Sequence, residues 1–198
     1  MEITTTREAA KMSGLKILVY GPAGAGKTRL CATADDHDTT LIISAESGLL
    51  SLREYDIPTV VVATLDDVRD VYRHLAPSEH PYRWICLDSI SEIAETVLAA
   101  ELASNRDPRR AYGEMATTMA ALLKRFRDLP THVLMTAKEA RDDVGNGRVL
   151  FGPSLPGRQR RLQSMPTCSL AASLIISIVH GGSQTTSTLQ LATPSTRA

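Results

Sequence analysis

The chain has 198 residues, 43% of them hydrophobic and only 4% aromatic, with 22 basic and 22 acidic side chains. That length suits one α/β domain with an aliphatic core. The three cysteines (Cys31, Cys86, Cys168) are odd in number and far apart, which excludes a disulfide framework and any Cys/His metal-ligand spacing and leaves free, buried thiols as the expectation.

Net charge is zero but unevenly placed. Every Asp and Glu lies at or before Asp143, so that part carries about −5 and the remainder about +5. Such a compositional break sets the acid-free last 55 residues apart from the rest of the chain. The N-terminal residues hold no apolar signal core. The apolar run from Leu170 to Val179 has about half the length of a membrane span. A cytoplasmic protein is expected.

Residues 1–13 are polar and read as a loose arm. Leu15–Tyr20 is a short apolar run that predicts a buried strand. It breaks into Gly21-Pro22-Ala23-Gly24-Ala25-Gly26-Lys27-Thr28, the P-loop pattern G-x-x-x-x-G-K-[ST]. In that pattern backbone N–H groups cradle the α/β-phosphates, the Lys27 ammonium reaches the β/γ-phosphates, and the Thr28 hydroxyl ligates Mg²⁺. The competing reading is a Gly-rich turn, but a strand-like run precedes the loop and a helix-compatible stretch (Arg29–Ala34) follows it. Gly21–Arg29 is therefore the expected nucleotide-binding segment.

Leu41–Ile43 predicts a second buried strand ending at Ser44-Ala45-Glu46, followed by a short helix (Ser47–Glu54) and a third strand (Pro58–Val62). Leu65–Leu75 is apolar at helical spacing. Trp84–Asp88 is a fourth strand, Ser91–Ser104 a helix, Asn105–Arg110 a polar loop, and Tyr112–Asp128 the longest helix. His132–Thr136 is a fifth strand, and Val144–Val149 reads as a hairpin tip. Strands alternating with helices predict an α/β fold, a mainly parallel sheet covered on both faces. Ligands on such sheets bind at the carboxyl ends of the strands, where Gly21, Glu46, Asp88 and Thr136 are expected.

Trp84-Ile85-Cys86-Leu87-Asp88 fits the Walker B pattern, in which the carboxylate holds hydrated Mg²⁺ beside Thr28. The same pattern also arises where Asp caps a helix. Glu46 follows the second strand, where a carboxylate can deprotonate attacking water, or can serve as the N-terminal charge of the next helix. Thr136 can sense the γ-phosphate, and Lys138 can neutralise charge developing on it, or stand as a solvated strand-end charge.

Leu41–Glu46 together with Leu87-Asp88-Ser89 resembles the core of RecA-type ATPases. More closely, residues 15–157 resemble the phage-encoded RecA-like ATPases of the Sak single-strand-annealing type. The matching blocks are Gly21–Thr28, Ile42–Leu50, Trp84–Ile90, Ala111–Glu114, Phe126–Pro130, Met135–Glu139 and Gly152–Gly157, about three quarters of the chain. The resemblance implies a RecA-like P-loop fold, ATP and Mg²⁺, Glu46 as the catalytic carboxylate, and a role in phage recombination. It also implies single-stranded DNA and a single-strand DNA-binding protein as partners, and a homo-oligomer. After Gly157 the chain departs from the family, whose members continue with a further strand and charged segments. Residues 158–198 lack acids and end Ser/Thr-rich. They read either as a basic tail for nucleic acid or as an out-of-frame or rearranged C-terminus that packs poorly.

In RecA-like proteins the loops at the places of Arg106, Arg109 and Arg110, and of Arg141 and Arg148, face DNA. Positive loops supply the salt-dependent phosphate contact, although Asp107, Asp142 and Asp143 dilute both patches and no aromatic cluster accompanies them. Two other classes stay open. One is a P-loop kinase of a small molecule, with Arg106–Arg110 in a lid. The other is a non-hydrolysing protein in which ATP only orders a DNA-binding surface.

Overall fold

The computed structural model describes Thr5 and residues 14–34, 36–46, 48–77, 79–143, 149–157, 174–180 and 187–191. Eight strands lie among them: β1 (Lys16–Gly21), β2 (Thr40–Ser44), β3 (Thr59–Val61), β4 (Trp84–Asp88), β5 (His132–Asp143), β6 (Val149–Pro153), β7 (Leu174–His180) and β8 (Ser187–Leu191). The helices are α1 (Lys27–Cys31), α2 (Leu65–Leu75), α3 (Ile90–Ser104) and α4 (Pro108–Arg127). Strand order is β3-β2-β4-β5-β1-β7-β8, with β6 paired to β5. All pairs from β3 to β7 are parallel; β5–β6 and β7–β8 are antiparallel.

Alternation along the strands divides the core. Leu18, Leu41, Ile43, Ile85, Leu87, Val133 and Met135 face one side and pack with Val68, Leu75, Ile93, Val97, Met119 and Phe126 of α2, α3 and α4. Val19, Ile42, Cys86 and Leu134 face the other and pack with Cys31 of α1 and Leu52. Both faces are therefore covered, as a parallel sheet requires. This parity also aims the site. Asp88 lies two residues beyond Cys86, and Thr136 two beyond Leu134, so both turn toward the α1 side.

Several boundaries differ from the expectation. The first helix is only Lys27–Cys31, and the stretch after β2 makes a 3₁₀ turn at Gly48–Leu52 rather than an α-helix. The polar loop is shorter than expected. Asp107 accepts a hydrogen bond from the Arg109 N–H, and Pro108 occupies the first helical position of α4, where its missing N–H costs nothing. Arg109 and Arg110 are therefore helical. Strand β5 does not end at Thr136 but runs to Asp143, because β6 pairs with it from Pro153 back to Val149. The expected hairpin tip, 144–148, lies outside the described residues. In the C-terminal segment the β-branched run Leu174–His180 lies beside β1, and the remainder of 158–198 other than β8 lies outside the described residues, as does Cys168.

Lys16 is a buried cation within β1, 5% exposed. Its ammonium donates to the Leu129 carbonyl at 2.8 Å and to the Thr131 carbonyl, tying β1 to the chain leaving α4. Burial pushes its pKa below the ordinary lysine value, partly opposed by Asp128. Lys16→Met is expected to lower unfolding free energy by roughly 1.5–3 kcal/mol, the contribution of charged hydrogen bonds whose acceptors are left unpaired. A lower urea midpoint at unchanged slope would record it.

Candidate functional site

The loop between β1 and α1 is shaped by glycine. Gly24 and Gly26 have φ of 76° and 84°, a region L side chains rarely adopt. A Cβ at either would meet nothing within 4 Å, so it is the backbone conformation, not crowding, that calls for glycine at both. Gly26 caps α1, and the Lys27 ammonium bends back to donate to the carbonyls of Gly21 at 2.9 Å and Pro22 at 2.8 Å. Burial lowers the Lys27 pKa, whereas the carboxylates of Glu46, Asp88 and Glu139 raise it and Lys138 lowers it. The loop lysine is thus the cation around which these groups gather.

Thr28 and Asp88, sixty residues apart in sequence, meet directly: the Thr28 hydroxyl donates to Asp88 Oδ2 at 2.7 Å. The Thr136 hydroxyl donates to Asp88 Oδ1, so both carboxylate oxygens are held. Asp88 and Thr136 are almost wholly buried. These hard oxygen donors suit Mg²⁺. Among the described residues no group of three or more His, Cys, Asp or Glu could hold a metal, so the other ligands would be phosphate and water oxygens.

Glu46 stands just past β2. The Ser44 hydroxyl donates to its main-chain carbonyl at 2.7 Å, and the Ser89 hydroxyl donates to its Oε1 at 2.7 Å. The Ala45 N–H donates to the Asp88 carbonyl at 2.8 Å. The pair Ala45-Glu46 is therefore joined to the pair Asp88-Ser89 through both main chain and side chain. The Asp88–Ser89 peptide bond is cis.

Lys138 does not stand free. Its ammonium pairs with Glu92 and lies 3.9 Å from Glu95, both on α3. The hydrogen bond to Glu92 raises its pKa, helped by the charges of Glu92, Glu95 and Glu46. The partners Glu92 and Glu95 escaped the sequence reading, and Ser89 entered it only as part of Leu87-Asp88-Ser89, with no contact assigned to it. Ser89-x-x-Glu92 carries a capping-box signature, which would have put Ser89 at the start of a helix but not against Glu46.

The structure gathers Lys27, Thr28, Glu46, Asp88 and Thr136 at the carboxyl ends of β1, β2, β4 and β5, with Pro22, Ala23 and Ala25 lining the loop. Arg29, Arg106, Arg109, Arg110 and Arg141 are exposed; Arg148 lies outside the described residues. Arg110 is 3.8 Å from Glu114. Cys31 and Cys86 are free and buried behind the loop; the neighbouring Cys86 and burial push the Cys31 thiol well above its ordinary pKa, which makes it a poor nucleophile.

Residues 13–169 match a family model described as an AAA domain. Comparison with curated proteins gives no match. Among solved structures, the chain is similar to a KaiC-like protein from the hyperthermophilic archaeon Pyrococcus horikoshii. The TM-score is 0.52 at 15% identity, over 90% of this chain and 78% of that one. At that identity the likeness concerns the fold, a RecA-like P-loop arrangement of a mainly parallel sheet between helices. No helix among the described residues is long and apolar enough to cross a membrane.

Proposed function

The chain belongs to the AAA domain family, and on that premise we propose that it hydrolyses ATP with Mg²⁺ and acts on single-stranded DNA. The observation that carries the hydrolytic half is the joining of Thr28 to Asp88 at 2.7 Å with Glu46 held alongside by Ser89 at 2.7 Å. On this reading Gly21–Thr28 bind the triphosphate, and Lys27 leaves its loop carbonyls for the β/γ oxygens. Thr28 and Asp88 hold Mg²⁺, which when bound offsets charge on those oxygens. Glu46 takes a proton from the attacking water. Lys138 reaches a γ-phosphate only by giving up Glu92, and the Thr136 hydroxyl only by giving up Asp88.

Support for the nucleic-acid half lies on the β5–β6 hairpin. Arg141 and Phe151 are direct cross-strand partners, and directly opposed residues share a face. Arg141 is exposed and Phe151 is 53% exposed. An aromatic ring beside a guanidinium offers a base-stacking face and a phosphate contact together, a pairing suited to single strands. A role in phage recombination, a homo-oligomer and a single-strand DNA-binding protein partner remain parts of the proposal that rest on the family resemblance.

The test is ATP turnover with and without single-stranded DNA, with duplex DNA as control. Turnover stimulated by the single strand, with loss of that stimulation in Phe151→Ala/Arg141→Ala, is the expected result. Turnover indifferent to DNA would overturn the nucleic-acid half, and transfer of phosphate to a metabolite instead of water would overturn hydrolysis.

A further inference from the structure

The geometry points to Ser89 as a positioning residue for Glu46, a role that rests on the hydrolytic reading above. Ser89 is 1% exposed and cannot swing into solvent. Its hydroxyl oxygen accepts from the Glu92 N–H at 3.4 Å as the N-cap of α3, and its proton is given to Glu46 Oε1 at 2.7 Å. The hydroxyl thus uses both of its capacities, one on each neighbour. Glu46 is held at two points, its carbonyl by Ser44 and its Oε1 by Ser89. Among the described residues Oε2 accepts no hydrogen bond, so one oxygen anchors the carboxylate and the other is left to take a proton.

A glutamate without that anchor keeps its rotamer freedom, and the fraction of molecules in reactive geometry falls. Displacement of a reacting group by about an ångström can cost on the order of 10²-fold. Ser89→Ala is therefore expected to lower kcat by about 10- to 100-fold while leaving ATP affinity unchanged, because the Ser89 hydroxyl is engaged with Glu46 and the Glu92 N–H. Loss of the helix cap alone would lower thermal stability without selecting kcat.

The decisive measurement is a double-mutant cycle on single-turnover phosphate release at saturating ATP. Wild type, Ser89→Ala, Glu46→Gln and the double variant are compared, and Ser89→Thr, which keeps the hydroxyl, is expected to recover activity. If Ser89 acts through Glu46, the double variant is no slower than Glu46→Gln. Ser89→Cys, which keeps the volume but weakens the donor, substitutes if Ser89→Ala does not fold. An active wild type with an inactive Glu46→Gln and a full-rate Ser89→Ala would overturn this role alone. Additive losses in the double variant would also overturn it. A wild type that hydrolyses no ATP would overturn the functional reading and this role with it.

Discussion

Lys27→Ala is expected to lose ATP hydrolysis by about 10²–10³-fold in kcat/KM, the range seen when one preorganised electrostatic donor is removed from a reacting centre. The effect follows from where the ammonium sits. It is bonded to two carbonyls of its own loop, Gly21 and Pro22, and its charge is drawn on by Glu46, Asp88 and Glu139. Removing it takes away the cation these carboxylates share, so a triphosphate would enter against more negative charge. Binding and turnover should fall together. Isothermal titration with ATP and steady-state phosphate release measure both, and an alanine variant that binds and hydrolyses like wild type would refute the loop assignment.

Glu46→Gln should separate the two quantities. The amide oxygen of Gln can still accept from Ser89, so the side chain keeps its place, but it can no longer take a proton. A loss of about 10²–10⁴-fold in kcat is expected for a general base, with ATP affinity retained. A pattern in which affinity falls and kcat does not would make Glu46 a binding residue, not a base. Read together, the two variants distinguish failure to hold the nucleotide from failure to cleave it.

Much of the nucleotide site was legible because it depends on contiguous residues. Gly21–Thr28 is one unbroken stretch, and Trp84–Asp88 announces itself as an apolar strand ending in a carboxylate. Strand parity then turns Asp88 and Thr136 to the α1 side. What was not legible depends on contacts between distant residues. Ser89 and Glu46 are 43 residues apart, and Lys138 and Glu92 are 46 apart; no local pattern encodes either pairing. Pro108 was read as a loop residue because proline breaks helices from within, whereas Asp107 caps α4 and makes that position the tolerated one. Likewise β5 looked complete at Thr136, where its apolar run stops. Its polar continuation is a strand only because β6 returns to pair with it, and that partner lies further along the chain.

The length of β5 carries a consequence. Thr136, which holds Asp88, and Arg141, opposite Phe151, belong to the same unbroken strand. Arg141 lies five positions on from Thr136, roughly 17 Å at the usual rise. Between them β5 changes partner, pairing with β1 as far as Lys138 and with β6 from Glu139 onward. The strand that braces the Asp88 carboxylate thus also carries the exposed Arg141–Phe151 pair, and a single residue inserted between Ala137 and Ala140 would shift that pairing by one position and turn Arg141 to the opposite face.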